Sequence, residues 1–557
     1  MPQPATLPAA TDSDTEPHLF VLYGTESGNS KIIALDAVKT LARAGLRARA
    51  LGLDELAASE LTKVGHAIFM VSTSGDGDMP YNAVDFWEAL GADDFPRLER
   101  LRYGMVALGE SVYEEFCAAG IAMDERLSEL GATRLVDRVD CDYDFEVHAA
   151  TWLEQALDIF AASIETDASA GAGAAAIIIS ASAEEGRPRH DGRIANKRVL
   201  TREDSDREVV HYSIALDAVE ADAAPFDWQP GDSLNLFYGN DPALVRDIMA
   251  RLKLAPDTVP NGAEWSIEHL LTHHFELRAI SRDLVKAAAA QEEGSELGQM
   301  LVNSSHAEFE DWRDAHDLFQ LLLDHPAISF EAEHLISLLR PLQPRAYSIA
   351  SSPLLGATLI DLSVRTIRYR QGTRDHHGVV SGGLSQRALT GDRLDVQHVA
   401  TPSFHLPDDP AADIVMVGAG VGVAPFRAFL QHRAARGDTG RNWLFHGIRN
   451  PDEDELYARE FAAWRDDGLL FSYDICASRL PGGGRYVQDG MKERGRELFS
   501  YLDAGGLLYV CGDARRMAKD VRTALRDIAA DALGSASQGE FFVEGLQAGR
   551  RYRQDVY

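Results

Sequence analysis

Short, uninterrupted apolar runs, each closing on a glycine- or hydroxyl-rich turn and then opening into helix-like sequence, mark both ends of this chain. Near the amino end they are "HLFVLYG" (18–24), "AIFMVST" (67–73) and "YGMVALG" (103–109). Near the carboxyl end they are "ADIVMVGAGVGVAPFRAFLQH", "NWLFHGIR", "FSYDICAS" and "GLLYVCGD". A strand that is apolar on both faces needs helices on both sides of its sheet, so each block specifies a doubly wound parallel sheet. The predicted class is multidomain α/β, because the two blocks lie too far apart in a 557-residue chain to share one core.

The region between them has a different pattern. Strand-like alternation in "VVHYSIAL" and "TLIDLSVRTIRY" brackets a helical block at about 241–340, including "DPALVRDIMARLKL". This predicts a β-barrel carrying a helical insertion. The expected division is a first α/β domain at 18–160, a linker at 161–192, the barrel with its insertion at 193–408, and a second α/β domain at 411–557. The linker contains "TDASAGAGAAAIIISASAEEGRPRH", rich in Ala, Gly and Ser.

Composition narrows the function. No window approaches the 18 apolar residues of a membrane span, and residues 1–17 lack the basic start and apolar run of a signal peptide, so a cytoplasmic protein is expected. Four cysteines without CxxC spacing predict reduced thiols and no metal site. The net charge of −33 argues against nucleic acid or an anionic membrane as partner. Residues 1–160 hold 28 acidic against 12 basic side chains. That excess serves solubility or an acidic docking face for a basic protein.

The turns carry the chemistry. "GTESGNS" (24–30) opens a helix after the first strand, and its N–H groups with Thr25, Ser27, Asn29 and Ser30 suit a terminal phosphate. "STSGDGD" (72–78) and "LGESVYEEFC" (108–117) follow the next strands, and ligands in such sheets sit beyond the carboxyl ends of strands. Tyr113 could stack there on a planar ring, although ordinary packing explains most such tyrosines. In "RAYSIASSP" (345–353), Arg345 can fork onto a pyrophosphate, Tyr347 can lie against a ring on the same face, and Ser348 lies on the neighbouring face. "GVVS" (378–381) adds a second small-residue turn, and "VGAGVGVAPFRAFLQ" (417–431) has the strand–turn–helix setting of a dinucleotide loop. "ASRLPGGGRYVQ" (477–488) offers Ser478, Arg479 and Arg485, cations that would select a 2′-phosphate. Cys511 ends a strand in "YVCGDARRMAKDV", and the chain finishes "RYRQDVY" at Asp555 and Tyr557. A buried structural thiol is the commonest role for such a cysteine.

Taken in order, these motifs resemble the diflavin reductases: a flavodoxin-like domain followed by a ferredoxin-reductase-like module. Within that family the likeness is to the flavoproteins that serve NADPH-dependent sulfite reduction, on "LRPLQPRAYSIASS", "APFRAFLQHRAARGDTGRNWLF" and the "DVY" ending. The resemblance implies FMN, FAD and NADPH as cofactors. It implies an FMN phosphate on Thr25, Glu26, Ser27, Gly28, Asn29 and Ser30. The ring would lie against Ser72, Thr73, Ser74, Gly75, Leu108, Gly109, Tyr113, Phe116 and Cys117. Family members often carry an aromatic where Ser74 stands. FAD would be lined by Ser281, Arg345, Ala346, Tyr347, Ser348, Ser363, Val364, Arg365, Tyr369, Gly378, Val379, Val380, Ser381 and Tyr557. NADPH would meet Gly418, Gly420, Gly422, Ser478, Arg479, Arg485, Tyr486, Gln488 and Asp520.

By the same resemblance Ser348, Cys511 and Asp555 surround the reacting atoms, and Tyr557 covers the flavin face until NADPH displaces it. The chain departs from the family at Ala419 and Val421, which removes a hydroxyl donor, and at Gly484, where relatives carry lysine and Arg485 is expected to substitute. The implied path is NADPH to FAD to FMN to a haem and iron–sulfur partner, the sulfite reductase haemoprotein. A soluble reductase for another haem or nitrate-reducing partner is the alternative, with a cofactor-depleted interaction module more remote. The short stretch before the first domain leaves the family's large oligomer open.

Overall fold

The computed structural model describes residues 19–169 and 189–557, apart from 26–27, 74–76, 78, 93, 110–114, 143–144, 218–225, 293–295, 304–308, 310–311, 314, 372–373, 481–482 and 557. The chain divides into two compact units, 1–187 and 188–557.

The first unit is a parallel sheet of β1 (Leu19–Gly24), β2 (Ala48–Gly52), β3 (His66–Ser72), β4 (Arg102–Leu108), β5 (Thr133–Arg134) and β6 (Val139–Cys141). The order is β2-β1-β3-β4-β5, with β6 also on β4. Period-two alternation sends Leu19, Val21 and Tyr23 to one apolar layer and Phe20 and Leu22 to the other, so both faces are covered. The layer under Leu19 is closed by the helices Asn29–Arg43 and Phe145–Ser169. The second of these helices runs through 161–169, which the sequence pattern assigned to the linker. "AASIETDAS" begins with strong helix formers and simply continues the preceding turn. Residues 170–188 lie outside the described residues.

The second unit joins a barrel to another parallel sheet. The barrel strands are β7 (His190–Val199), β8 (Val209–Leu216), β9 (Ser233–Leu236), β10 (Arg345–Ser348) and β11 (Leu359–Arg365), a hairpin of β12 (Arg368–Gln371) and β13 (Arg374–His377), and β14 (Arg393–Val399). The order β10-β9-β14-β7-β8-β11 is closed by an Ile349–Leu362 bridge, with the Ala350 amide donating to the Asp361 carbonyl at 2.7 Å. Between β9 and β10 the chain detours through helices from Pro242 to Leu338 with a separate apolar core. Side-chain caps start several of them, among them Asp241, Ser266, Ser281 and Asp317.

The second sheet is β15 (Ile414–Ala419), β16 (Asn442–Ile448), β17 (Leu470–Ala477), β18 (Leu507–Gly512) and β19 (Tyr552–Val556), all parallel in the order β17-β16-β15-β18-β19. Its last strand is also the last element of the chain. β19 pairs in register with β18 and sets Asp555 directly beside Cys511.

Barrel and sheet are locked by a buried polar network. The Arg427 guanidinium bonds the Ala350 carbonyl at 2.7 Å, Asp361 at 2.9 Å and Glu460 at 2.8 Å. It also lies 4.7 Å from the Tyr457 ring centre. The Tyr457 hydroxyl in turn meets Ser363 at 2.7 Å and His211 at 2.9 Å. A buried guanidinium is tolerated because each of its polar contacts is satisfied.

Candidate functional site

In the first unit the loops after β1, β3 and β4 leave adjacent strands at the same end of the sheet, as ligand-binding loops of such sheets do. Gly28 adopts φ 87° and caps the helix Asn29–Arg43, with its amide donating to Thr25 Oγ1 at 2.9 Å. The Thr25 amide donates to Asn82 Oδ1 at 2.6 Å, which anchors the loop start. Ser30 Oγ is buried and, among the described residues, has no hydrogen-bond partner. An orphaned hydroxyl in the first turn of a helix fits a phosphate oxygen.

Ser72 donates to the Gly24 carbonyl at 3.3 Å, the Thr73 amide to the Leu108 carbonyl at 2.8 Å, and the Gly109 amide to the Cys141 carbonyl at 2.9 Å. These bonds tie together the strand ends from which the three loops start. Cys117 is a correction to the ring-contact expectation. Its thiol is buried against the Ala107 and Cys141 carbonyls at 3.5 and 3.6 Å, and burial pushes it up to about 12. Phe116 is half-buried in the same turn. Glu26, Ser27, Ser74, Gly75 and Tyr113 lie outside the described residues.

The second unit contains a cleft of about 1720 Å³ that runs from the barrel to the carboxyl ends of the second sheet. On the barrel side it is lined by Arg345, Ala346, Tyr347, Ser348, Ser363, Arg365, Tyr369 and Gly378 to Ser381. All of β10 borders the cleft because the strand lies at the barrel seam, so Ser348 reaches it as well as Arg345 and Tyr347. Gly378 begins the helix Val379–Gln386, and a Cβ there would meet Ser381 Oγ at 2.5 Å. That cradle brings bare backbone and a helix N-terminus to the cleft, which fits the FAD pyrophosphate.

Two expected FAD contacts are corrected. Ser281 does not line the cleft. Its hydroxyl donates to the Leu338 carbonyl at 2.8 Å and accepts from the Leu284 amide at 3.0 Å as an N-cap. Val364 points into the barrel core, as alternation along β11 requires. Arg278, a residue the sequence pattern did not single out, comes from the helical insertion and donates to the Tyr369 hydroxyl at 2.7 Å. Ninety-one residues separate the two, so no local signal could have paired them.

On the sheet side the glycine turn after β15 keeps its geometry despite Ala419 and Val421. Gly420 has φ 57°, a conformation costly for other residues. A Cβ on Gly422 would run into the Cys511 carbonyl, so this turn is pressed onto β18. Gly484 is held for the same reason, since its backbone lies against the Ser478 carbonyl. Arg485 does not replace the family's lysine. It pairs with Glu493, donates to the Ile475 carbonyl at 2.8 Å and is absent from the cleft lining.

The cations that do face the cleft are Arg207, Arg365, Arg449, Arg479 and Arg516, together with Arg278, Arg313 and Arg345. Arg449 was legible as an arginine immediately after the apolar run "NWLFHGI", at the strand end where 2′-phosphate readers stand. Burial holds the Arg207 guanidinium below its ordinary value, and Arg365 and Arg479 add to the depression. Eight arginines against five acids in the cleft lining, Glu276, Asp454, Asp513, Asp520 and Asp555, fit polyanionic ligands. Ser478, Tyr486, Gln488 and Asp520 complete this side, Gln488 donating to Asp520 at 3.1 Å.

Where barrel and sheet meet, three side chains from remote parts of the chain converge. Ser348 donates to Asp555 Oδ2 at 2.8 Å, and Cys511 Sγ lies 3.7 Å from the same oxygen. Burial raises the Asp555 carboxyl above its usual range, while the bonds from Ser348 and Cys511 pull it back down. Burial, followed by the Asp555 charge, raises the Cys511 thiol well above its ordinary value and keeps it protonated. Tyr557, expected here, lies outside the described residues.

Comparison with known proteins agrees with this arrangement. The Flavodoxin family matches residues 21–152, the FAD binding domain family 190–382, and the Oxidoreductase NAD-binding domain family 416–523. The sulfite reductase (NADPH) flavoprotein alpha-component of Bacillus subtilis is 33% identical, over 99% of this chain and 92% of its own length. That of Neisseria meningitidis serogroup B is 35% identical over 96% and 89%, and that of Vibrio cholerae 33% over 98% and 89%. The chain is an FMN-, FAD- and NADPH-binding oxidoreductase. Nearly full-length identity, carried across all three matched regions in the same order, makes it a member of the sulfite reductase (NADPH) flavoprotein alpha-component family.

Proposed function

We propose that this chain takes electrons from NADPH and passes them through FAD and FMN to a haem and iron–sulfur partner that reduces sulfite. The observation that carries the reading is the meeting of Ser348, Cys511 and Asp555 at the junction of the barrel and the nucleotide sheet. When bound, FAD accepts two electrons as a hydride and FMN releases them singly, which matches a two-electron donor to a one-electron acceptor.

The protein's own groups then have separable roles. The glycine turn holds the pyrophosphate of the nucleotide, and Arg449 with Arg479 holds its 2′-phosphate. Asp555, buried, in its carboxylate form places negative charge where positive charge develops on the nicotinamide as hydride leaves. Ser348 fixes the orientation of that carboxylate through a 2.8 Å hydrogen bond, and the neutral Cys511 thiol fills the space beside it. In the first unit Thr25 and Ser30 hold the FMN phosphate, and the acidic surface of that unit meets the partner.

The test is NADPH-dependent sulfite reduction by the purified chain combined with the haemoprotein subunit, with flavins released and counted beforehand. One FMN and one FAD per chain with sulfide formation supports the proposal. Full flavin content without sulfide, but with turnover of another haem acceptor, would replace the partner and leave the electron path intact.

A further inference from the structure

The arginines assigned above to the 2′-phosphate are already engaged by a carboxylate of the same chain. Asp206 lies in the turn between β7 and β8 of the barrel, yet its two oxygens pair with two arginines that follow strands of the nucleotide sheet. Oδ1 pairs with Arg449 Nη1, and Oδ2 lies 3.2 Å from Arg479 Nη1. One oxygen per guanidinium is the arrangement in which a phosphate would take the same two side chains. We propose that Asp206 is an internal competitor for the 2′-phosphate: it pairs with Arg449 and Arg479 when no nucleotide is bound, gives them up when NADPH binds, and recaptures them as NADP⁺ leaves.

Three observations support competition over a purely structural ion pair. Arg449 and Arg479 line the cleft, so the guanidinium groups that Asp206 engages are ones a bound nucleotide can reach. Asp206 is 59% exposed and has no other hydrogen bond among the described residues to hold it, so it can swing away when displaced. Arg207 and Arg365 stand in the same cleft, and a 2′-phosphate brings more negative charge to this group than one carboxylate does. A site whose competent state is only partly populated binds its ligand more weakly by that fraction. The competitor therefore loosens NADPH and NADP⁺ together and speeds product release, with no effect on a nucleotide that lacks the 2′-phosphate.

The inference rests on Arg449 and Arg479 reading the 2′-phosphate, and one calorimetric series separates the two claims. The flavin-loaded protein is titrated with adenosine 2′,5′-bisphosphate and with adenosine 5′-monophosphate. Asp206→Asn should tighten the bisphosphate by about 2- to 5-fold, as expected for release of an exposed ion pair, and leave the monophosphate unchanged. Asp206→Glu should return the bisphosphate Kd toward that of the unaltered protein. Arg449→Ala should weaken the bisphosphate alone; if it does not, the 2′-phosphate reading fails, whatever Asp206 does. If Arg449→Ala weakens binding but Asp206→Asn leaves it unchanged or weaker, the competitor proposal is overturned and Asp206 is an organiser of the arginines.

Discussion

Replacing Ser348 by alanine removes one hydroxyl from the point where barrel and nucleotide sheet meet. The hydroxyl donates to Asp555 Oδ2 at 2.8 Å, and the remaining partner on that oxygen is a thiol at 3.7 Å, a weak donor. A hydrogen bond to a buried charged group contributes about 1.5–3 kcal/mol. If the carboxylate needs that bond to face the developing positive charge, hydride transfer should slow by about 10- to 150-fold, at 1.36 kcal/mol per tenfold. The pH profile gives a second readout. Asp555 is already raised above its usual range by burial, and the Ser348 bond is the first interaction opposing that rise. Transfer should therefore fail on the acid side as Asp555 takes a proton, and Ser348→Ala should move that acid limb to higher pH. Stopped-flow reduction of the bound FAD by NADPH and by its 4-deuterated form, followed across pH, measures both effects. A rate within about twofold of the unaltered protein with an unmoved acid limb would falsify the assignment of Ser348 to Asp555.

Arg449→Ala should raise the KM for NADPH more than Arg479→Ala does, because Arg449 is 13% exposed and Arg479 56%, and exposure screens a phosphate contact. Neither should change the KM for NADH appreciably, and steady-state assays with both nucleotides test this. Asp232 is buried and accepts from His398 at 2.9 Å, His405 at 2.6 Å and the Thr401 and Gln229 amides at 2.8 Å, which holds its carboxyl well below the usual range. The stability it contributes is complete above about pH 4 and is lost as pH falls further. Asp232→Ala should cost about 3–5 kcal/mol at neutral pH by stranding those donors, read as a lower urea midpoint for the second unit. His446 is buried with burial pushing it down to about 3, so it opposes folding progressively below its ordinary value of about 6.5. His446→Gln should flatten acid unfolding between those limits, and an unchanged acid profile would show that another group controls it. Electron transfer to the partner should slow as salt rises if the acidic excess of residues 1–160 steers a basic acceptor, whereas NADPH reduction of FAD should follow a different curve.

What the amino-acid order determines by itself is everything local. Continuous apolar runs ending in glycine turns are sufficient for parallel strands and for the loops at their carboxyl ends, because side-chain periodicity and backbone permissiveness act within a few residues. The turns at Gly378, Gly420 and Gly28 were legible on that basis. Tertiary structure alone decided which side chains face which. Arg485 looked equal to Arg479 along the chain, but a close approach of Gly484 to the Ser478 carbonyl turns it toward Glu493 and out of the cleft. Ser281 and Cys117 read as ligand contacts until an N-cap and a pair of buried carbonyls proved to satisfy them. Arg278 on Tyr369, Asp206 on Arg449, and Ser348 on Asp555 join residues 91, 243 and 207 positions apart. No local pattern encodes such pairs. Ser348 meets Asp555 because the barrel seam at β10 and the edge strand β19 bring those backbones together, and burial then makes that polar contact obligatory.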